Sequence, residues 1–251
     1  MLFLIGTGLS YYDISAGALE ACRECELYQE SYTSYFNEAK KEFIEGKLGK
    51  KITPLSRSDL EEEVKKIVEK AKIRDIAILT GGDPLIATTH KIILIEAKRH
   101  GIRTKIFHSS SIISAAMGES GLDFYRFGAV CTISRWSESY KPVSFYETIQ
   151  KNISNNYHSI ILLDYDPKEA SSLGIREAID ILSKAEEKYK KGIINKTANI
   201  FIIQNLGLEG QSTYFTTISS APLLKPVKGP SLMIIPARIS DIEQEAIDSM
   251  H

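Results

Sequence analysis

Apolar residues recur along this chain in two periods, and the alternation between them organises its first half. Short runs at residues 2–5, 27–30, 76–79 and 105–107 read as strands, the first and third apolar at every position, as strands buried on both faces are. Helical stretches separate them. Ser15 or Asp13 can cap one that runs to about residue 25, and Leu60, Val64, Ile67, Val68 and Ala71 fall on one face of another. Ser58-Asp59-Leu60-Glu61 has the form of a capping box at the start of that second helix. A further helical period is expected from residue 86 to residue 100. Strand and helix in alternation predict an α/β domain.

The second half changes character. Residues 129–133 and 159–163 read as strands, and 145–153 and 175–189 as helices, the latter rich in Lys and Glu towards its end. Strands at 200–203, 213–217 and 232–235 then follow with little helix between them, which predicts antiparallel pairing. The change falls near residues 108–118, so the expectation is two α/β domains, 1–112 and 113–251, the second with a mixed or antiparallel sheet.

Two strand ends carry glycine turns. The first strand runs into Gly6-Thr7-Gly8-Leu9, and the strand at 76–79 into Gly81-Gly82-Asp83-Pro84-Leu85-Ile86-Ala87-Thr88-Thr89-His90. Glycine accepts positive φ and lets backbone come close to a ligand, and Asp with Pro fixes the rest of such a turn. Open α/β sheets hold ligands at the carboxyl ends of their strands. These turns therefore mark the candidate site, the first reading equally as a tight turn without a ligand, and Asp83 either faces a ligand across the second or caps the turn or the helix that follows. His108-Ser109-Ser110-Ser111-Ile112 adds helix-start amides and hydroxyls after the strand at 105–107. The first turn lacks both the third glycine of a dinucleotide fingerprint and the Gly-Lys-Ser/Thr ending of a phosphate loop. No Gly-x-Ser-x-Gly elbow surrounds the serines, which argues against a serine nucleophile.

Composition narrows the class. A chain of 251 residues, 43% hydrophobic and 25% charged, can bury a full core. With 31 basic against 32 acidic residues, nothing predicts a surface that neutralises phosphates, hence no nucleic-acid partner. Lys40, Lys41, Lys47, Lys50 and Lys51 read as a solvated face. No apolar run approaches the roughly 20 residues that span a bilayer, and residues 1–5 are too short for a signal peptide, so no membrane partner is expected. An odd count of 3 cysteines suggests a reducing cytosol. Cys22-Arg23-Glu24-Cys25 has the spacing of a metal half-site but no second pair completes it, so packing thiols and no metal are expected. Trp136 reads as a packing residue, His90 as a packing or surface residue, and Asp164 as the end of an apolar strand that reaches a site or caps a loop.

Several strings fall in order along nearly the whole chain. They are Leu4-Ile5-Gly6-Thr7-Gly8-Leu9 with Asp13-Ile14-Ser15, Glu30-Ser31-Tyr32-Thr33-Ser34, the Gly82–His90 string, the His108–Ile112 string, Gly121-Leu122, Phe127-Gly128, Trp136, Tyr146 and Leu162-Leu163-Asp164. Together they resemble the diphthine synthase family, part of the tetrapyrrole-methylase-like group of S-adenosylmethionine (SAM) methyltransferases. The wider group shares the Gly-x-Gly and the Gly-Asp-Pro. Ala87-Thr88-Thr89-His90 is the continuation that looks like diphthine synthases rather than corrin or porphyrin methylases. The resemblance implies two α/β domains of the tetrapyrrole methylase type with the cofactor in the cleft between them, a homodimer, and a cytoplasmic enzyme. Carried over by motif, the cofactor contacts are Leu9, Asp83, Ile86, Ser111, Ile112 and Leu163, with Leu206 and Ser231 from the later strands. Where relatives often have Ala-Arg-Ala/Met-Gly this chain has Gln204-Asn205-Leu206-Gly207, and where they often have Pro-Pro-His it has Gly229-Pro230-Ser231. A backbone contact survives both changes; a His side-chain contact does not.

The implied reaction is methyl transfer from SAM, leaving S-adenosylhomocysteine, to the amino group of a 3-amino-3-carboxypropyl histidine in translation elongation factor 2, repeated on the same nitrogen. Alignment of donor and acceptor can supply roughly 7–11 kcal/mol of the barrier, so no dedicated nucleophile is required. Each round needs a deprotonated amine. Asp164, Tyr32 and His90 are candidates for the base, and the sequence assigns the role to none of them. The alternatives are a tetrapyrrole methyltransferase and a module that binds SAM or another adenine ligand without turnover.

Overall fold

Five strands of the first 112 residues form one parallel sheet in a computed structural model, which describes residues 1–167 and 169–250. In chain order they and their helices are β1 (Leu2–Gly6), α1 (Ala16–Cys22), β2 (Glu26–Glu30), α2 (Glu38–Leu48), β3 (Ile52–Leu55), α3 (Val64–Lys70), β4 (Ile76–Thr80), α4 (Lys91–Arg99) and β5 (Thr104–Phe107). The strand order is β3-β2-β4-β1-β5, every pair parallel. Both faces are covered, as parallel sheets require. Leu2, Leu4, Ile76 and Ile78 point towards α3 and α4, joining Val64, Ile67, Val68, Ile93 and Ala97. The alternate residues Phe3, Ile5, Ala77 and Leu79 join Ala18 and Cys22 of α1 and Ile44 of α2 on the opposite face. The chain leaves β1 in one direction to build β2 and β3, then returns to β4 and β5. The carboxyl ends of β1 and β4 therefore lie side by side at the reversal, where open sheets bind ligands.

The chain divides into two compact units, Met1–Ile112 and Ile113–His251. At the start of the second lies α5 (Ile112–Glu119), followed by β6 (Cys131–Ile133), α6 (Ser144–Ser154), β7 (Ser159–Leu163), the short pair β8 (Tyr165–Asp166) and β9 (Ser171–Ser172), α7 (Ile175–Tyr189), β10 (Asn199–Gln204), β11 (Ser212–Thr217), β12 (Ser231–Ile235) and α8 (Asp241–Met250). Its larger sheet runs β11-β10-β12-β7-β6 and is mixed: β6 and β7 are parallel, the other pairs antiparallel. Phe145, Tyr146 and Ile149 of α6 and Ile179, Leu182 and Ala185 of α7 pack on one face against Ile161, Ile200, Ile202 and Met233. Trp136 packs at the margin of this cluster and donates Nε1–H to Pro142 O at 3.1 Å. Burial pushes the free thiols Cys22 and Cys131 up to about 12 and Cys25 up to about 11, as for packing residues.

Local structure departs from the sequence expectation at four places. The helix expected from residue 86 starts at Lys91. Side chains capture the backbone before it: Thr88 Oγ1 donates to Pro84 O at 2.7 Å, His90 Nδ1 to the same oxygen at 2.9 Å, and Ala87 is left-handed at φ 55°. The expected capping box does not form. Asp59 accepts from Ser56 N at 2.8 Å, Ser58 bonds Glu62, and residues 58–62 make a wide π turn ahead of α3. Helix α1 stops at Cys22, and Cys25 closes a turn onto Cys22 O at 3.1 Å before β2. Helix α2 and strand β3 lie where the lysine-rich surface was expected. Asn37 caps α2 by accepting from Lys40 N at 2.9 Å, Gly49 ends it at φ 64°, and Pro54 sits in β3 at the sheet edge, where a missing N–H is tolerated.

One buried carboxylate fixes α8. Glu243 accepts from Asp123 N at 3.0 Å, Ser240 N at 2.8 Å and His158 Nε2 at 2.9 Å, and from the Arg126 guanidinium. Ala237 N–H donates to His158 Nδ1 at 3.0 Å, so the proton lies on Nε2, and burial lowers the imidazole's pKa and keeps it neutral. Burial alone would raise the Glu243 carboxyl, yet the donors from Ser240, Asp123 and His158 hold it down to about 2. Glu243→Ala strands these donors and is expected to cost about 3–5 kcal/mol of stability in urea unfolding. The depressed value means the contribution is whole above the ordinary carboxylate range and is lost as pH falls through about 2. Acid unfolding of the variant should therefore lack that component.

Candidate functional site

Positive φ places the two glycine turns against each other. Gly8 at φ 67° and Gly82 at φ 73° exchange hydrogen bonds, Gly8 N to Gly82 O at 3.1 Å and Gly82 N to Gly8 O at 2.9 Å. The preceding residues extend the β1–β4 pairing, with Thr7 N and Thr7 Oγ1 both donating to Thr80 O, at 2.9 and 2.8 Å. A side chain at Gly8 would be left-handed and would bring its Cβ to 2.1 Å from Asp13 Cβ, so this turn admits glycine alone.

Two charged groups grip the first turn, one through its amides and one through its carbonyls. Asp13 Oδ2 accepts from Leu9 N and Ser10 N, both at 2.9 Å, and from Ser110 Oγ at 2.8 Å, while Oδ1 accepts from Ser10 Oγ at 2.6 Å. Burial acts to raise this carboxyl, and the donors from Ser10, Ser110 and Leu9 outweigh it and lower it. Lys40, 2% exposed, sends Nζ to Gly8 O at 2.6 Å and to Thr7 O and Leu9 O, both at 3.4 Å. Its acceptors are carbonyls and the Thr7 hydroxyl. Burial pushes its pKa down to about 8, against the attraction of Asp13.

The second turn is built around Asp83, which is buried. Its Oδ1 accepts from Leu85 N at 2.9 Å, and its Oδ2 from Ser109 N at 3.3 Å and His108 Nδ1 at 2.7 Å. The β4 and β5 ends are thereby joined. Ile86 follows on the turn, an apolar side chain 45% exposed. A third loop, after β2, lies against the second. Glu30 is fully buried and accepts from the backbones of Tyr32 and Thr33 and from Thr33 Oγ1 and Ser34 Oγ, the last two at 2.8 and 3.0 Å. Tyr32 OH meets Thr89 Oγ1 at 3.1 Å, and a Cβ on Gly81 would sit 2.3 Å from Tyr35 O. His90 is buried. With its Nδ1–H on Pro84 O, its Nε2 points at Glu30 Oε2 from 4.0 Å and has no hydrogen-bond partner, and burial lowers its pKa and keeps it neutral.

Five of the sequence-derived positions thus belong to one unit. Leu9, Asp83 and Ile86 lie on the two clasped turns, Ser111 is buried at the end of the β5 loop, and Ile112 begins α5. The half-exposed Leu9, the exposed Ile86 and the Asp83 carboxylate provide apolar faces and a hydroxyl acceptor, a set that fits a nucleoside. The other three meet in the second unit. Leu163 ends β7, Leu206 follows β10, and Ser231 begins β12 with its N–H on Ser172 Oγ at 3.0 Å. Ser231 pairs with Gln204 and Asn205 N donates to Pro230 O at 2.8 Å, so both departures from the family strings are neighbours at one sheet end. Asp164 accepts from Arg135 N at 3.0 Å, a loop-capping role. Lys40 and the His108–Asp83 contact were missed. The spacing of Phe36, Lys40 and Ile44, all buried on one stripe of helical period, could have flagged the lysine.

The family model for tetrapyrrole (corrin/porphyrin) methylases matches residues 1–222. A diphthine synthase of Methanothermobacter thermautotrophicus is 38% identical over 249 residues, covering 98% of this chain and 93% of its own. One from Methanococcus maripaludis is 34% identical, covering 98% and 97%. A crystal structure of a diphthine synthase superposes with TM-score 0.86 at 31% identity, covering 99% of this chain and 95% of that one.

The buried ammonium gives a signed expectation. Because the folded value of Lys40 lies below its ordinary 10.5, its penalty is whole below about 8 and is relieved as pH rises to 10.5. Measured by denaturant unfolding, the stability of the wild type relative to Lys40→Met should rise by on the order of 3 kcal/mol between those pH values. A difference that stays flat with pH would contradict a charged, buried Lys40.

Proposed function

The chain belongs to the tetrapyrrole (corrin/porphyrin) methylase family, and we propose that it makes diphthine, methylating the amino group of a 3-amino-3-carboxypropyl histidine in translation elongation factor 2. The observation that carries this reading is that the match to diphthine synthases spans 98% of the chain, both units included. SAM supplies a methyl group on a sulfonium, already activated for in-line transfer. The protein's work is then to hold donor and acceptor in line and to free the amine of its proton.

We assign the holding to Leu9, Asp83, Ile86, Ser111 and Ile112 of the first unit and to Leu163, Leu206 and Ser231 of the second. Leu9 and Ile86 present apolar surface to the adenine, and Asp83 accepts from a hydroxyl. The Gly8–Gly82 clasp and the Lys40 and Asp13 contacts make the first turn rigid before any ligand arrives, which reduces the ordering cost of binding. At Leu206 and Ser231 the contacts are made through backbone, since this chain has no histidine there. The enzyme works in the cytoplasm, where its substrate is, and as a homodimer; sedimentation of the purified protein reads the latter.

Intact-peptide mass spectrometry of elongation factor 2 carrying the unmethylated intermediate, incubated with the protein and SAM, should show methyl additions confined to that histidine. SAM binding without any addition would redirect the search to another acceptor, a tetrapyrrole first. Asp83→Ala is expected to weaken SAM at least about tenfold, or ~1.4 kcal/mol, by calorimetry. Unchanged affinity would remove Asp83 from the set.

A further inference from the structure

The contact between His108 and Asp83 forms a carboxylate–imidazole pair on the exposed side of the turns. Asp83 is 5% exposed in its side chain and His108 67% exposed, with 2.7 Å between Oδ2 and Nδ1. The same Oδ2 accepts from Ser109 N, and Oδ1 from Leu85 N, so both carboxylate oxygens act as acceptors and Nδ1 is the nitrogen that carries the imidazole proton. That tautomer leaves the lone pair on Nε2, the far side of an exposed ring. Asp83 lies on the loop after β4, three residues before Ile86, and His108 on the loop after β5, three residues before Ser111. The three base candidates read from sequence are spent elsewhere. His90 is buried, Asp164 caps the loop at Arg135, and Tyr32 is bonded to Thr89.

Resting on the reading above, we propose that His108 is the general base of this methyltransferase, positioned and held in its Nδ1–H tautomer by Asp83. Repeated methylation of one nitrogen requires a proton to be removed before every round. The ammonium N–H proton passes to His108 Nε2 and on to water. The freed lone pair forms the N–CH3 bond while the S–CH3 bond breaks and its electron pair stays on sulfur. A buried carboxylate behind the ring stabilises the imidazolium that appears in between, which is the service an Asp gives a catalytic His. Among the described residues Asp83 is the charged group bonded to the ring; Asp13 is bonded to the following Ser109 and Ser110, and the Lys105 ammonium lies over the neighbouring Phe107.

The test uses the full chain with SAM and the elongation-factor intermediate. His108→Gln should lower the rate of methyl addition by about 10²-fold with SAM affinity within about twofold of wild type, since the change removes a base and not the cofactor turn. The acid side of the pH–rate profile should change shape between wild type and His108→Gln, in which deprotonation of the amine alone remains. Added imidazole should restore part of the rate to His108→Ala in proportion to its concentration. In the cofactor-free protein, nitrogen NMR should place the His108 proton on Nδ1, and Asp83→Asn should shift it. A His108→Gln enzyme with wild-type rate and profile overturns the proposal, as does a proton found on Nε2 or a rate loss explained by lost SAM binding. A wild-type protein that binds SAM but methylates no form of the factor overturns the underlying reading instead.

Discussion

The reciprocal hydrogen bonds between Gly8 and Gly82 are the constraint on which the site depends. They form an antiparallel bridge just past the last residues of the parallel β1–β4 ladder, Gly6 and Thr80, and so convert the end of a sheet into a fixed pair of turns. Both residues are left-handed, which turns each chain away from its strand directly after the contact. Everything that follows is placed by that divergence. Leu9 and Ser10 swing onto Asp13, while Asp83 and Pro84 swing towards the β5 loop and its serines. A side chain at Gly8 would break the clasp and displace Asp13 at once.

Buried charge is used in the same way at each loop of this edge. Lys40 collects carbonyl oxygens of residues 7–9, Glu30 collects donors of residues 32–34, and Asp83 collects donors of the β4 and β5 loops. An unpaired buried charge is costly, so each of these groups requires its loop to stay in place. The second unit does likewise with Glu186, which accepts from three successive backbone amides after α7, and with Glu243 under α8. Loops lack the ladder of bonds that fixes strands and helices, and single ions supply the missing restraint.

This arrangement explains what was legible in the sequence. Helix α7 could be read to its ends because its apolar stripe faces one sheet and its charged side faces water. The glycine turns could be found because their composition has no other simple use. Helix α2 could not, since Lys40 occupies a core position and the lysines around it imitate a solvated face. The reading of residues 86–90 as helix failed because Thr88 and His90 side chains compete for one carbonyl, a local contest that periodicity does not record. The pairing of His108 with Asp83 spans 25 residues and reaches across the end of β1, which lies between β4 and β5. Only the strand order brings those loops together.

Methyl transfer from a sulfonium divides the protein's work into two physical tasks, and the structure gives them different chemistry. Alignment needs rigidity, and rigid backbone comes from glycine turns locked by buried ions. Proton removal needs a group that can change charge and exchange with water, and a buried ion can do neither cheaply. The exposed His108 ring satisfies the second demand while its partner Asp83 belongs to the first. One carboxylate thus ties the moving proton to the fixed turn. The β4 and β5 loops are required to close on each other for that reason, beyond any need of the cofactor itself.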